Sequence, residues 1–407
     1  MNLISIKKQY LIVKKYIVDC RINFLFFIYY KILHSFIVNR IRKKNNISVA
    51  FIVTCISTWR TEELYLAMSK HKKFSPYIVI TNNYEEDNIK DVEEYVKNKG
   101  YKYCIIETNE KTFSKLGHDI VFIPKPYNLW SKYFQPYSNF TSLYCYSNYG
   151  FHTIDEEWIY KLRIYKYFWQ VYFENEICIN CAKKYLVNKS AIRLTGLPFM
   201  DKFLSQDYID PWRNDNKELK KIIWAPHHTI FDNDLLSYST FLRYSNIMID
   251  LAKKYKDYVY FAFKPHPQLR NKLIKLWGEE KTKNYYNMWS NMPNSQFIPG
   301  DYIGLFMFSD AMIHDCSSFI IEYQYTNKPI LFLENGVNHK EGMNDFAKMA
   351  YDLHYKAFNE EEIEGFILNV INNIDVNREE RMNFKNKYLV PPYSKTACDN
   401  IIDNILY

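Results

Sequence analysis

Hydrophobic positions along the chain switch repeatedly between two periods. Short apolar runs of strand length occur at Val49–Ile56, Tyr77–Thr81, Tyr103–Glu107, Ile120–Ile123 and Ala191–Thr195. Stretches of helical period, one starting near Thr61 and another over Asp91–Lys99, lie between them. Lys161–Phe173 also carries enough apolar spacing to predict a helix. The polar stretch Asp210–Lys217 interrupts this pattern as a linker would. The pattern then restarts with a strand at Ile222–Ala225, a helix over Phe241–Tyr255, and strands at Tyr258–Phe263 and Ala311–His314. Strands alternating with helices imply parallel, doubly wound sheets, and 407 residues exceed a single comfortable core. The expected fold class is α/β, with two Rossmann-like lobes at 46–209 and 210–407 behind a separate segment, 1–45.

That first segment is basic and apolar at once. Lys7, Lys8, Lys14, Lys15 and Arg21 precede Phe24, Phe26, Phe27, Ile28, Tyr29 and Tyr30, and Arg40, Arg42, Lys43 and Lys44 close it. Its most apolar stretch, Ile22–Val38, has Lys31 and His34 near its middle, which disfavours a bilayer span. Two readings need the same amphipathic pattern: a helix lying on an anionic membrane surface, and a helix packed on the first lobe.

In the second half, each apolar strand runs into unusual polar residues. Ile222–Ala225 ends in Pro226-His227-His228-Thr229, Tyr258–Phe263 in Lys264-Pro265-His266-Pro267, and Ala311–His314 in Asp315-Cys316-Ser317-Ser318. Open α/β sheets bind ligands beyond the carboxyl ends of their strands, so three such ends predict one cleft. Ser317 and Ser318 precede the apolar run Phe319–Tyr323, where they would either cap a helix or offer hydroxyl and N–H donors to an anion. Lys264 and His266 supply a cation and a titratable imidazole suited to a phosphoryl group. Neighbours in extended chain point opposite ways, so only one of His227 and His228 is expected to face the cleft. Asp232, Asp234 and Asp315 are conceivable further metal ligands, but no zinc-binding spacing accompanies them, and neither metal nor cofactor is expected.

Composition narrows the partners. The formal charge of +8 suits an anionic partner, whether phosphate polymer, nucleotide or acidic leaflet. No nucleic-acid-binding motif accompanies the charge, and the 37 tyrosines and 28 phenylalanines fit a codon bias as well as a binding surface. The scattered cysteines predict buried free thiols in a reducing compartment, with Cys178 and Cys181 forming a lone C-x-x-C.

At these motifs the sequence resembles the CDP-glycerol glycerophosphotransferase family of teichoic acid and capsule synthesis. The resemblance is carried by Trp224-Ala225-Pro226-His227, Lys264-Pro265-His266-Pro267, His314-Asp315-Cys316-Ser317-Ser318 and Lys328-Pro329-Ile330-Leu331-Phe332, in the family's order. Thr195-Gly196-Leu197-Pro198-Phe199-Met200-Asp201 is similar to the family's G-x-P-R-x-D segment, with Phe199 where arginine is usual. The resemblance implies a GT-B-type fold, a CDP-linked donor in the second lobe and an acceptor entering from the first. It implies that His266 assists at the donor phosphates and that Ser317 and Ser318 hold the diphosphate. The candidate donor-binding set is His227, His228, Thr229, Lys264, Asp315, Ser317, Ser318 and Glu322. The family's W-H-G-T-P segment is absent in that form. Its nearest counterpart, Ser147–Thr153, places His152 after the glycine as the candidate base for an acceptor hydroxyl.

The activity expected is transfer of glycerol phosphate or a related polyol phosphate to a cell-surface polymer or lipid-linked acceptor. The expected location is the cytoplasm, peripheral to the inner face of the membrane. Rival readings are a nucleotide-sugar glycosyltransferase of the same fold and a non-catalytic precursor-binding subunit.

Overall fold

The computed structural model describes residues 28–407 except 82–88, 107–112, 114–115, 128–133, 137–138, 140, 156, 206, 214–217 and 232–237. The basic residues before position 28, Cys20, the end of the 210–217 linker, and Asp232 and Asp234 therefore lie outside the described residues. The chain forms two compact units. One comprises the chain up to Tyr149, Glu156–Asp201 and Pro391–Tyr407; the other comprises Gly150–Asp155 and Lys202–Val390.

The first unit is built on a seven-stranded sheet. Its strands are β1 (Ile47–Val53), β2 (Phe74–Ile80), β3 (Tyr103–Ile105), β4 (Ile120–Ile123), β5 (Leu143–Ser147), β6 (Gln170–Phe173) and β7 (Ile192–Leu194). They are parallel and run in the order β3-β2-β1-β4-β5-β6-β7, so the order reverses between β1 and β4. The helix expected over Lys161–Phe173 is instead a 3-10 turn, Arg163–Lys166, followed by β6. All four β6 residues are buried between β5 and β7. A strand buried on both faces loses its polar alternation, and its apolar spacing then resembles that of a helix.

Residues 28–42 are helical and pack on this unit through Tyr30, Ile37 and Ile41, the last two within the cluster that holds Val49 and Phe51. Buried Asp119 fixes the end of that segment, accepting from Lys44 Nζ at 2.7 and 2.9 Å and from the Ser48 N–H at 3.1 Å. The helix Ala397–Leu406, which the sequence pattern left with the second lobe, belongs to the first unit and buries Cys398, Ile401, Ile402 and Ile405 in the same cluster. Two features of the Thr195–Asp201 motif hold it there. The Asp201 carboxylate accepts from the backbone N–H groups of Ala397 and Cys398 at 2.7 and 2.8 Å, capping the helix. Gly196 has φ +81°, and a Cβ there would lie 2.9 Å from the Ala397 Cβ and 3.1 Å from Pro391.

The second unit has six parallel strands, β8 (Lys220–Ala225), β9 (Val259–Phe263), β10 (Ser295–Phe297), β11 (Ala311–His314), β12 (Ile330–Leu333) and β13 (Tyr355–Ala357). Their order is β10-β9-β8-β11-β12-β13, reversing between β8 and β11. Trp224 pairs in register with Phe263 on one side and with Ile313 on the other, so β8, β9 and β11 end nearly level. Trp224, Phe263 and Trp289 pack with ring centroids 5.1–5.3 Å apart, fixing that level from below. Cys55, Cys145, Cys178, Cys181, Cys316 and Cys398 are buried and Cys104 is half-buried, none of them in a disulfide.

Gly196→Ala combines a left-handed backbone with a steric clash, so it should lower stability by at least about 1 kcal/mol, read as a fall in denaturant midpoint. An unchanged midpoint would show that the turn adapts. A second expectation concerns pH. Burial, reinforced by nearby cations at all but His118, lowers His34 and His314 to about 3, His118 and His339 to about 4, and His354 well below its ordinary value. These bases bind protons in the unfolded chain but not in the fold between their folded values and an unfolded pKa of about 6.5. Stability should therefore fall as pH drops through about 6.5, opposed only in part by Asp315, whose carboxyl is raised to about 6 by burial. A melting temperature that is flat or rises from neutral pH to about pH 5 would contradict this.

Candidate functional site

The site is assembled on Asp315, the first residue beyond β11 and fully buried. Its carboxylate accepts from the backbone N–H of His227, in the turn after β8, and from the Thr240 N–H and hydroxyl at 2.6 and 2.8 Å. Thr240 immediately precedes the helix Phe241–Lys254. One carboxylate thus joins the β8 turn, the β11 end and a helix start. Burial pushes its pKa to about 6, against the downward pull of these hydrogen bonds. Expected as a donor contact, Asp315 is turned toward the protein's own backbone.

The pinned β8 turn is further tied by Thr229. Its hydroxyl oxygen accepts from the N–H groups of Tyr238 and Ser239 at 3.0 and 3.2 Å, leaving its one proton for His227 Nδ1, 2.9 Å away. His227 is then the tautomer with its proton on Nε2. The β9 turn is attached by the His266 N–H, which donates to the Pro226 carbonyl at 3.0 Å. His266 Nδ1 in turn accepts from the Gln268 N–H at 3.2 Å, so its proton too sits on Nε2.

These ties bring three imidazoles together. Ring centroids are 4.4 Å apart for His227 and His228, 5.2 Å for His227 and His266, and 4.2 Å for His228 and His266. Both neighbouring histidines therefore reach His266, contrary to the alternation expected of extended chain, because β8 ends at Ala225 and the backbone turns. Nitrogens of the three lie within 4.8 Å of one another, a spacing a metal ion could bridge. The chemistry of two of them is different: a metal ligand needs a lone pair on its outer nitrogen, whereas His227 and His266 present N–H there. N–H groups converging at a strand-end switch point suit an anion. Burial, then the charges of His228, Lys264 and Lys272, lowers His266 to about 3, so the ring is a neutral donor near pH 7.

Lys264, 5% exposed, acts by its charge on His266; its Nζ is 5.9 Å from the Tyr302 ring centroid, and burial lowers its pKa. Buried Glu322, also expected to contact the donor, accepts from the Tyr302 hydroxyl. Ser317 and Ser318 lie at the β11 end, Ser318 exposed with its hydroxyl 3.3 Å from Cys316 Sγ. His152 is not among the residues of the three-imidazole group. It is 1% exposed, its carbonyl accepts from Asn344 Nδ2 at 2.6 Å, and the Thr153 carbonyl accepts from the Asn344 N–H. Sequence reasoning missed Thr240 and Tyr302. Thr240 has the position of a helix cap, but its hydroxyl goes to Asp315, and nothing near Tyr302 in sequence marks it.

The wall teichoic acid polymerase TagF superposes with a TM-score of 0.57 at 15% identity, over 95% of this chain and 97% of that one. The UDP-GlcNAc 2-epimerase from Neisseria meningitidis, solved with UDP-GlcNAc, gives 0.56 at 13% identity, over 89% and 99%. Both likenesses are of fold, two Rossmann-like units of the GT-B type. No curated protein matches the sequence. Residues 159–406, more than half the chain, match the family described as CDP-Glycerol:Poly(glycerophosphate) glycerophosphotransferase. The matched region contains the Thr195–Asp201 motif, all three polar strand ends and the imidazole group, and by that match the chain belongs to the glycerophosphotransferase family, a family of transferases.

Proposed function

We propose that the protein transfers glycerol phosphate, or a related polyol phosphate, from a CDP-linked donor to a cell-surface polymer or lipid-linked acceptor at the inner face of the membrane. The observation that carries this reading is the group of three imidazoles beyond the ends of β8 and β9, with Nε2–H donors fixed on His227 and His266 and the charge of buried Lys264 acting on His266. Family membership and a TagF variant soaked with CDPG support the donor class.

In this reaction the acceptor hydroxyl attacks the phosphorus that carries glycerol, the bond to CMP breaks, and CMP leaves with its electron pair. Such transfers depend on positioning and on stabilising charge that develops on the phosphoryl oxygens. His266 and His227 donate to those oxygens, Lys264 offsets their charge, and Ser317 and Ser318 hold the second phosphate. His152 takes the proton of the acceptor hydroxyl. A nucleotide-sugar donor is the second reading, favoured by the fold's likeness to an epimerase solved with UDP-GlcNAc. The two differ in the nucleotide released, CMP for the first and typically a nucleoside diphosphate for the second.

With CDP-glycerol and a short polymer or lipid-linked acceptor, nucleotide chromatography should show acceptor-dependent CMP release. His266→Ala should lower it by about a hundredfold or more, and His152→Ala should lower turnover while leaving donor binding intact. Turnover of a nucleotide sugar alone would replace the donor assignment. Asp315→Asn keeps the shape but turns one acceptor into a donor facing backbone N–H groups. It should cost about 1–3 kcal/mol of stability and weaken donor binding together. If calorimetry finds the donor dissociation constant unchanged while stability falls, Asp315 supports the fold but not the site.

A further inference from the structure

Which nitrogen of His227 carries the proton depends on a residue outside every strand and helix. The Thr229 hydroxyl oxygen has two lone pairs, and the N–H groups of Tyr238 and Ser239 occupy both, at 3.0 and 3.2 Å. Its own proton is thereby left to His227 Nδ1, 2.9 Å away. If either N–H withdrew, the freed lone pair would accept from a protonated Nδ1, and the outer nitrogen of His227 would no longer be a donor. Ser239 is held independently: its hydroxyl donates to the His227 carbonyl at 2.9 Å, and the next residue, Thr240, donates to Asp315. Tyr238 has neither tie.

What holds Tyr238 is its ring. The side chain is buried and stacks on His339, with ring centroids 5.0 Å apart and planes 11° from parallel, and it meets the His227 ring at 5.7 Å and 71°. His339 lies in the loop after β12 and is also buried. Its ring packs at 66° against Phe332, with centroids 5.1 Å apart, and its Nε2 stands 3.7 Å from Glu334 Oε2. Glu334 is fixed in turn, its N–H donating to the Ala357 carbonyl at 2.8 Å and its carboxylate accepting from the Tyr351 hydroxyl. His339 Nε2 itself has no hydrogen-bond partner among the described residues. Burial, then the charge of Lys356, lowers His339 to about 4, so near pH 7 it is a neutral ring that acts through its face.

We propose that Tyr238 and His339 are positioning residues of the phosphoryl site: their stack holds the Tyr238 N–H on Thr229 and so keeps the His227 proton on Nε2, facing the donor phosphates. This deepens the donor reading of the imidazole group and rests on it, but its first readout needs no turnover. The full chain, carrying isotope-labelled histidine, is to be followed by long-range proton–nitrogen NMR, with the His227 signal identified by its absence in His227→Gln. The wild type should show a protonated Nε2 and a bare Nδ1. Tyr238→Leu and His339→Ala should move both nitrogens toward the averaged shifts of mixed tautomers. Both should also lower kcat for CMP release about tenfold while changing the donor KM less than about threefold. Tyr238→Phe keeps the ring and should keep the wild-type spectrum and kcat. Tyr351→Phe removes a hydrogen bond to Glu334 but keeps its own ring, so it should lower the melting temperature without moving the His227 signal, separating lost stability from a lost tautomer. A wild-type His227 protonated on Nδ1, a tautomer unchanged in Tyr238→Leu and His339→Ala, or a changed tautomer with wild-type kcat overturns the proposal. If the wild type releases no nucleotide from CDP-glycerol, the donor assignment fails, and the spectra alone still decide whether the stack sets the proton.

Discussion

Taking a carboxylate out of water costs several kcal/mol unless donors replace the solvent. Asp315 meets that demand with backbone and hydroxyl donors from two other segments, the β8 turn and the start of the helix Phe241–Lys254. Because the donors are backbone N–H groups, the bond fixes the path of the chain rather than one rotamer. His227 is held at its own N–H, and Thr229 two residues on fixes which ring nitrogen of His227 carries the proton. The site's geometry follows from that pin. Without it, nothing in the strand register alone would face the β8 histidines toward His266.

The imidazoles so gathered are chemically unlike surface histidines. Burial, and then the neighbouring charges of His228, Lys264 and Lys272, disfavours protonation, and His266 stays neutral until far below its ordinary range. A neutral ring with its Nδ1 already accepting offers only N–H outward. Neutral N–H donors suit an anionic oxygen without adding a long-range attraction, and such hydrogen bonds strengthen as charge accumulates on the oxygen. The same burial that shapes the site therefore also sets the sign of its chemistry.

Much of this was legible before the structure. Parallel doubly wound sheets place ligands at strand ends, so three polar strand ends in one half pointed to one cleft, and the level register of Ala225, Phe263 and His314 is the physical content of that expectation. What could not be read required knowing the path of a turn or the far end of a hydrogen bond. The alternation rule failed for His227 and His228 because it presumes extended backbone. Lys161–Phe173 misled because β6, buried on both faces, has no polar alternation. Asp315 looked like a ligand contact because sequence shows a carboxylate's position but not its donors.

The Thr195–Asp201 segment shows the limit from the other side. Its glycine and aspartate read as parts of a family motif, and in the structure both are accounted for by the last helix of the chain: Gly196 allows the close approach of Ala397 and Pro391, and Asp201 caps that helix. Asn400 adds a tie back to the Thr195 carbonyl at 3.1 Å. These are long-range contacts, some two hundred positions apart, and no local pattern reports them. The one departure from the motif, Phe199 where arginine is usual, is met in kind. The Arg60 guanidinium, from the loop after β1, stacks over the Phe199 ring at 4.4 Å. A cation thus stands against that position even though the chain delivers it from another strand end, so the residue type at a motif position is a weaker guide than the charge the fold returns to it.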